Sequence, residues 1–194
     1  MRVGILALQG DFREHRRAIQ SLGIDAPDVR TPADLDTVDA LIIPGGESTT
    51  IGRLAVAHGL IQPIRDRAHE GMPILGTCAG MIFLASNTVG HDQPLLGLLD
   101  ATVQRNAFGR QVDSFEADLT IDGLDEPMHA VFIRAPWIDK IGADVEVLAS
   151  VRSEGGASHP VLVRQGHILA AAFHPELTDD RRLHRMLVDL VEES

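Results

Sequence analysis

The chain is short of cysteine, short of cations and without a long apolar run, and each shortage removes a class of function. Cys78 is its single cysteine, so no intrachain disulfide framework can form and no thiolate cluster can hold a metal. A reducing, cytoplasmic setting is the expectation. Lys and Arg number 17 against 28 Asp and Glu, a net charge of -11; a field of that sign repels polyanions, which argues against a nucleic-acid partner. No stretch approaches the roughly 18 consecutive apolar residues of a membrane span. The apolar residues 3–8 lead to Gln9-Gly10-Asp11 rather than to a small-residue cleavage site, so they read as a first strand and not as a signal peptide. That same Gln-Gly-Asp turn lacks the spaced glycines of a dinucleotide-binding fingerprint. The nine histidines are scattered, and neither a metal site nor a cofactor is expected. Without an internal repeat or a low-complexity linker, the 194 residues, 44% hydrophobic, read as one domain, 1–194, burying roughly 70% of the chain's surface.

What is present is an alternation of buried strands and amphipathic helices. After the first strand, residues 12–22 place Phe12, Ile19 and Leu22 near one helical face, and Gly23 ends the pattern. An extended piece over 24–29 leads to the apolar run 38–43, which stops at Pro44-Gly45-Gly46; Ser48 or Thr49 is then placed to cap a helix. Residues 72–76 form another buried run, followed by Thr77-Cys78-Ala79-Gly80 and a helical stretch over 81–85. Recurrent strand, turn and helix predict the α/β class, a mostly parallel sheet covered by helices on both faces. From about 96 to 172 the pattern shortens to strand-like pieces at 117–121, 130–133 and 145–148, predicting antiparallel pairing in the C-terminal half. Thr178 is placed to cap a last helix with Leu183, Met186, Leu187 and Leu190 on one face, and Asp179 and Asp180 suit its positive end.

The chemistry concentrates at strand ends. In Gly76-Thr-Cys-Ala-Gly80 the two glycines permit a tight turn that exposes the central side chain, a nucleophile elbow with cysteine in place of serine. A cysteine of pKa about 8.5 is only about 3% thiolate at neutral pH, so it needs a helix N-terminus and a histidine to raise that fraction. His174 closes the apolar run 168–173 and is followed by Pro175-Glu176; side chains two apart on extended backbone point the same way, which lets Glu176 orient the imidazole. Gly45 and Gly46, with Ala79, offer backbone N–H groups for the oxyanion of an attacked amide. Gly46, Cys78 and His174 all lie beyond carboxyl ends of strands, where open α/β sheets bind ligands.

These residues resemble the class I glutamine amidotransferase family, in which Gly-x-Cys-x-Gly carries the nucleophile and His-Pro-Glu the other two groups. More narrowly, Leu8-Gln-Gly-Asp11, Pro44-Gly-Gly-Glu-Ser-Thr-Thr50, Gly76-Thr-Cys-Ala-Gly80, Arg105-Asn106 with Phe108-Gly-Arg-Gln-Val-Asp-Ser-Phe-Glu116, Phe132-Ile-Arg-Ala-Pro136 and Phe173-His-Pro-Glu-Leu177 are similar to the glutaminase subunits of pyridoxal phosphate synthase over nearly the whole chain. The resemblance implies a flavodoxin-like sheet with an antiparallel extension. It implies that Cys78 attacks the side-chain amide of glutamine, that His174 passes the proton to departing ammonia, that Glu176 holds His174, and that water cleaves the glutamyl thioester. It also implies a glutamine pocket lined by Gly46, Glu47, Ser48, Arg105, Ile133 and Arg134, where Glu47 suits the ammonium of the amino acid and an arginine its carboxylate. Ammonia would pass to a separate lyase subunit in a large hetero-oligomer. Gln9 and Gly10, following the first strand, are assigned to coupling between that partner and the oxyanion hole. Residues 153–159 depart from the pattern and read as a surface hairpin insertion. Two other functions fit the bare motifs: a stand-alone cysteine amidase of small γ-glutamyl substrates, and a noncatalytic module on the same scaffold.

Overall fold

A computed structural model describes residues 1–90, 92–105, 114–152 and 156–193. Chain order runs β1 (Val3–Leu6), α1 (Phe12–Ser21), β2 (Asp28–Val29), α2 (Pro32–Leu35), β3 (Ala40–Ile43), α3 (Ser48–Ala57), α4 (Ile61–His69), β4 (Ile74–Thr77) and α5 (Ala79–Leu84). The second half continues with β5 (Ala85–Thr88), β6 (Leu99–Gln104), β7 (Ser114–Leu119), β8 (Met128–Ile133), β9 (Trp137–Ile141), β10 (Glu146–Arg152), β11 (Ser158–Gln165), β12 (Ile168–Ala171), a 3-10 turn over Pro175–Leu177, and α6 (Arg182–Glu192).

The main sheet has the order β10-β11-β12-β4-β3-β1-β2. From β12 to β2 every pairing is parallel, and β10 and β11 extend the sheet antiparallel. The expected α/β class and its antiparallel C-terminal extension are therefore both present. Parallel central strands are covered on both faces, which is why β1, β3, β4 and β12 are apolar or small throughout rather than alternating. Leu41, Ile42, Ile43 and Leu75 are fully buried, and each such side chain contributes about 1.5–3 kcal/mol by leaving water. A smaller sheet, β5-β6-β9, and the hairpin β7-β8 stand beside it. Among the described residues no helix is long and apolar enough to cross a membrane.

Several local expectations shift. The extended piece at 24–29 pairs regularly only at Asp28–Val29, with a single bridge at Asp25, because Pro27 has no N–H to give a ladder. Glu47, not Ser48 or Thr49, caps α3. Thr178 does not cap α6, which begins at Arg182; Asp180 Oδ1 instead accepts from the Arg182 N–H at 2.9 Å. Leu183, Leu187 and Leu190 are buried on that helix as expected, and Met186 packs at the core's margin. Residues 153–155 of the expected insertion lie outside the described residues, as do 106–113; the flanking Arg152 and Ser158 are paired across β10 and β11.

Register brings the three loops together. Ile43 lies opposite Gly76, and Thr77 opposite Ala171, so the chain leaves β3, β4 and β12 on one edge, a few residues before Gly46, Cys78 and His174.

Candidate active site

The elbow is strained where the chemistry needs it. Cys78 joins β4 to α5 with φ 48 and ψ −104, a left-handed conformation that costs a residue bearing a Cβ of order 1–3 kcal/mol. It is held by its own N–H donating to the Ala171 carbonyl at 2.8 Å, and its carbonyl accepts from Ile82 N at 3.3 Å. Gly80 explains the flanking pattern: a Cβ there would sit on the Ile43 carbonyl oxygen, so only glycine lets α5 pass this close to β3.

His174 is fastened by its backbone N–H, which donates to the Val131 carbonyl of β8 at 2.9 Å. Its Nδ1 donates to Glu176 Oε1 at 2.7 Å, a charge-assisted bond in a site where both side chains are almost wholly buried. Burial favours the neutral ring, yet hydrogen bonds to Cys78 and Glu176 and the charges of both outweigh it and raise the His174 pKa to about 10. Burial also pushes the Glu176 carboxyl up, against the pull of His174. Gly45 lies against the imidazole: a Cβ there would come within 2.5 Å of His174 Cε1. Asp11, His174 and Glu176 together offer three donor atoms within 4.8 Å of one another. The nitrogen between the two carboxylates is Nδ1, so a metal there would have to displace the proton shared with Glu176.

In front of these groups is a cavity of about 370 Å³ lined by Gln9, Asp11, Gly46, Glu47, Ser48, Cys78, Ala79, Ile82, Arg105, Ile133, Arg134, Pro136 and His174. The structure thus gathers every residue of the expected pocket, with Ala79, Gln9 and two members of the triad. Glu176 stands behind His174, and Gly45 and Gly10 stand behind the lining. Asp11, Ile82 and Pro136 were not singled out by sequence reasoning; Asp11 and Pro136 close two of the quoted motifs, which was the available signal.

Two details refine the pocket. The Glu47 carboxylate accepts from Thr49 N at 3.1 Å, from Thr50 N and Thr50 Oγ1 at 2.7 Å each, and from Arg105 Nη2 at 2.9 Å. Desolvation works against its charge, but the Thr50 and Thr49 hydrogen bonds prevail and bring its pKa down to about 2. Glu47 and Arg105 are therefore partners of one another. Arg134, at φ 43, lines the cavity on strained backbone and has no ion-pair partner among the described residues. Beneath the rim, Gln9 Oε1 accepts from Glu47 N at 2.8 Å and Asp11 N donates to the Gly45 carbonyl at 3.1 Å, so the 9–11 turn holds the 45–47 turn.

Relatives of this chain are unambiguous. The profile of the SNO glutamine amidotransferase family matches residues 5–193. The pyridoxal 5'-phosphate synthase subunit PdxT of Acidothermus cellulolyticus is 60% identical over 98% of this chain and 93% of its own length. The protein of the same name from Frankia alni is 57% identical over 100% of this chain and 96% of its own. A solved structure described as a glutamine amidotransferase superposes with a TM-score of 0.92 at 55% identity, covering 98% of each chain.

Proposed function

The chain belongs to the SNO glutamine amidotransferase family, and from that membership we propose that it is the glutaminase subunit of a pyridoxal 5'-phosphate synthase, releasing ammonia from L-glutamine for a lyase partner in the cytoplasm. The observation that carries the chemistry is the buried Cys78–His174–Glu176 constellation, with Cys78 and His174 in the cavity lining and Glu176 behind His174. Cys78 Sγ, its proton passed to His174, attacks the side-chain amide carbon of glutamine. The amide oxygen becomes an oxyanion, and the N–H groups of Gly46 and Ala79, two residues of the cavity lining, are the donors assigned to it. His174 gives its proton to the departing nitrogen, the C–N bond breaks, and ammonia leaves a glutamyl thioester on Cys78. Neutral His174 then takes a proton from water, hydroxide attacks the thioester, and glutamate departs with the thiolate restored. Glu176 keeps the imidazole in the orientation that both steps use.

Recognition of the amino acid falls to the rim. Arg134, unpaired among the described residues, suits the substrate carboxylate. Glu47 and Arg105, already paired, receive the substrate's ammonium and carboxylate by exchanging part of their mutual bond. Ser48 and Ile133 complete the lining. Gln9 and Gly10 couple docking to the oxyanion hole, supported by the bond from Glu47 N to Gln9. The relatives named as synthase subunits support a lyase partner in a large hetero-oligomer.

Ammonia release from glutamine, for wild type, Cys78→Ala and Gln9→Ala, with and without the cognate lyase, tests the reading. Strong stimulation that is abolished in Cys78→Ala and blunted in Gln9→Ala is the expected result. Equal activity without the lyase would instead make the chain a stand-alone amidase, and none under any condition a binding module.

A further inference from the structure

Beyond Glu176 the fold buries two histidines that the reaction above does not use. His15 on α1 and His184 on α6 are both wholly inaccessible to solvent. Their rings meet with His15 Nδ1 3.1 Å from His184 Nε2. The other nitrogen of His15, Nε2, lies 3.0 Å from Thr77 Oγ1 and 3.2 Å from Glu176 Oε2. Thr77 precedes the nucleophile and Glu176 holds His174, so His15 touches both arms of the site from behind.

The hydrogen-bond pattern selects one tautomer pair. Suppose His15 carried its proton on Nδ1 and donated to His184 Nε2. Its Nε2 lone pair would then face the carboxylate oxygen, and His184 would bear an N–H on Nδ1, an atom with no hydrogen-bond partner among the described residues. A buried N–H without an acceptor and two facing lone pairs are both unfavourable. In the opposite assignment His184 Nε2–H donates to His15 Nδ1, and His15 Nε2–H faces Thr77 Oγ1 and Glu176 Oε2. Only an acceptor nitrogen, His184 Nδ1, is then left unpartnered. The Nε2–H bond is aligned on Thr77, with Glu176 Oε2 beside it; Oε2 makes no aligned hydrogen bond of its own among the described residues.

We infer that His15, held as the neutral Nε2–H tautomer by His184, is a positioning residue for Glu176, keeping Oε1 on His174 by setting an N–H dipole, anchored on Thr77, beside Oε2. This rests on the Cys78–His174–Glu176 reading and deepens it. A carboxylate with one oxygen on His174 and the other against a neutral N–H dipole has a preferred rotation; without that dipole it is free to turn or to take up a proton in its dry surroundings. Neutrality matters because an imidazolium at 15 would compete with His174 for the same carboxylate. The groups facing His15 enforce it: His184 from α6, Thr77 from β4 and Glu176 from the 3-10 turn, with the charges of His174 and Arg181 beyond. Burial first, then His184, His174 and Arg181, hold the His15 pKa well below its ordinary value.

The test uses the full chain and its complex with the cognate lyase. Nitrogen-15 spectra of histidine-labelled wild type at pH 7 should show His15 neutral and protonated on Nε2; an imidazolium or an Nδ1–H ring overturns the assignment without any mutation. His15→Phe should lower kcat for ammonia release roughly tenfold and leave KM for glutamine within about twofold. It should also move the alkaline limb of the pH profile to lower pH, while His15→Gln, whose amide N–H reaches the Nε2 position, restores most of the rate. Unchanged kcat and pH profile in folded His15→Phe, or equal losses in the Phe and Gln variants, overturn the positioning role. Cys78→Ala run alongside separates the two readings: an active Cys78→Ala discards the triad itself, whereas an inactive one beside an unaltered His15→Phe discards only the part given to His15.

Discussion

His174 is an imidazole whose charge is set by competition between a dry environment and two hydrogen-bonding neighbours, Cys78 and Glu176, and the neighbours prevail. Its raised pKa, about 10, means that the folded protein holds this proton more tightly than the unfolded chain does. The stabilisation is therefore fully present below the ordinary histidine value near 6.5 and is lost as pH rises through about 10. Glu176→Gln keeps the shape and a hydrogen-bond acceptor but removes the charge. The expected outcome is a His174 pKa moved down towards 6.5 and ammonia release lowered by roughly 100-fold or more, as when the acid of other catalytic triads is neutralised. Histidine ring resonances followed over pH, beside the synthase-stimulated rate, check both. A His174 pKa still near 10 in this variant would mean that Cys78 alone holds the proton.

Among the secondary-structure elements, α3 shows what was legible in the sequence and what was not. Strand ends were readable because an apolar run followed by glycine is a local signal, and the three strand ends with their loops supplied Gly46, Cys78 and His174. The cap of α3, expected at Ser48 or Thr49, lies one or two residues earlier, at Glu47. Ser and Thr are the short side chains that usually reach forward to accept from the N–H of N2 or N3, whereas Glu47 does so here while braced by Arg105, 58 positions away, a contact no local pattern announces. The partner of His15 was equally hidden. Its place on the inner face of α1, four before Ile19, follows helical period, but His184 is 169 residues distant. Glu47→Ala should therefore act on the element as well as the pocket: loss of the cap costs about 1 kcal/mol, read as a lower urea midpoint, with an accompanying rise in KM for glutamine. The pH sense follows from the depressed Glu47 pKa of about 2. Its contribution is complete above the ordinary carboxyl range and disappears as the solution is acidified through about 2, so the gap between wild type and Glu47→Ala should close only in strong acid. A Glu47→Ala protein with the wild-type midpoint at neutral pH would show that Thr49 and Thr50 find other acceptors.

Taken as a whole, the molecule places two buried histidines, His174 and His15, on one buried carboxylate and a third, His184, behind His15, and they titrate in opposite senses. His174 is held charged, whereas burial first and Arg181 second lower the His184 pKa to about 4, and His15 is lowered too. For these two the unfolded chain binds protons first as pH falls. Their contribution is thus complete above about 6.5 and is drained progressively towards pH 4, at about 1.4 kcal/mol per pH unit for each proton taken up on unfolding. His174 adds nothing to that slope, since both states are protonated there. Glu176, with its raised pKa, opposes it only where the folded carboxyl begins to protonate. Urea unfolding between pH 6 and pH 5, where His174 is protonated in both states, reads chiefly the two lowered histidines, and His184→Phe should remove close to one proton's worth of the slope, raising relative stability at pH 5 more than at pH 6. An unaltered slope in His184→Phe would mean that His184 already carries a proton in the folded protein. In that event the histidine part of the acid sensitivity would arise at His15, and His184 would hold the His15 tautomer as an imidazolium, donating from Nε2 while its Nδ1–H lacks an acceptor among the described residues.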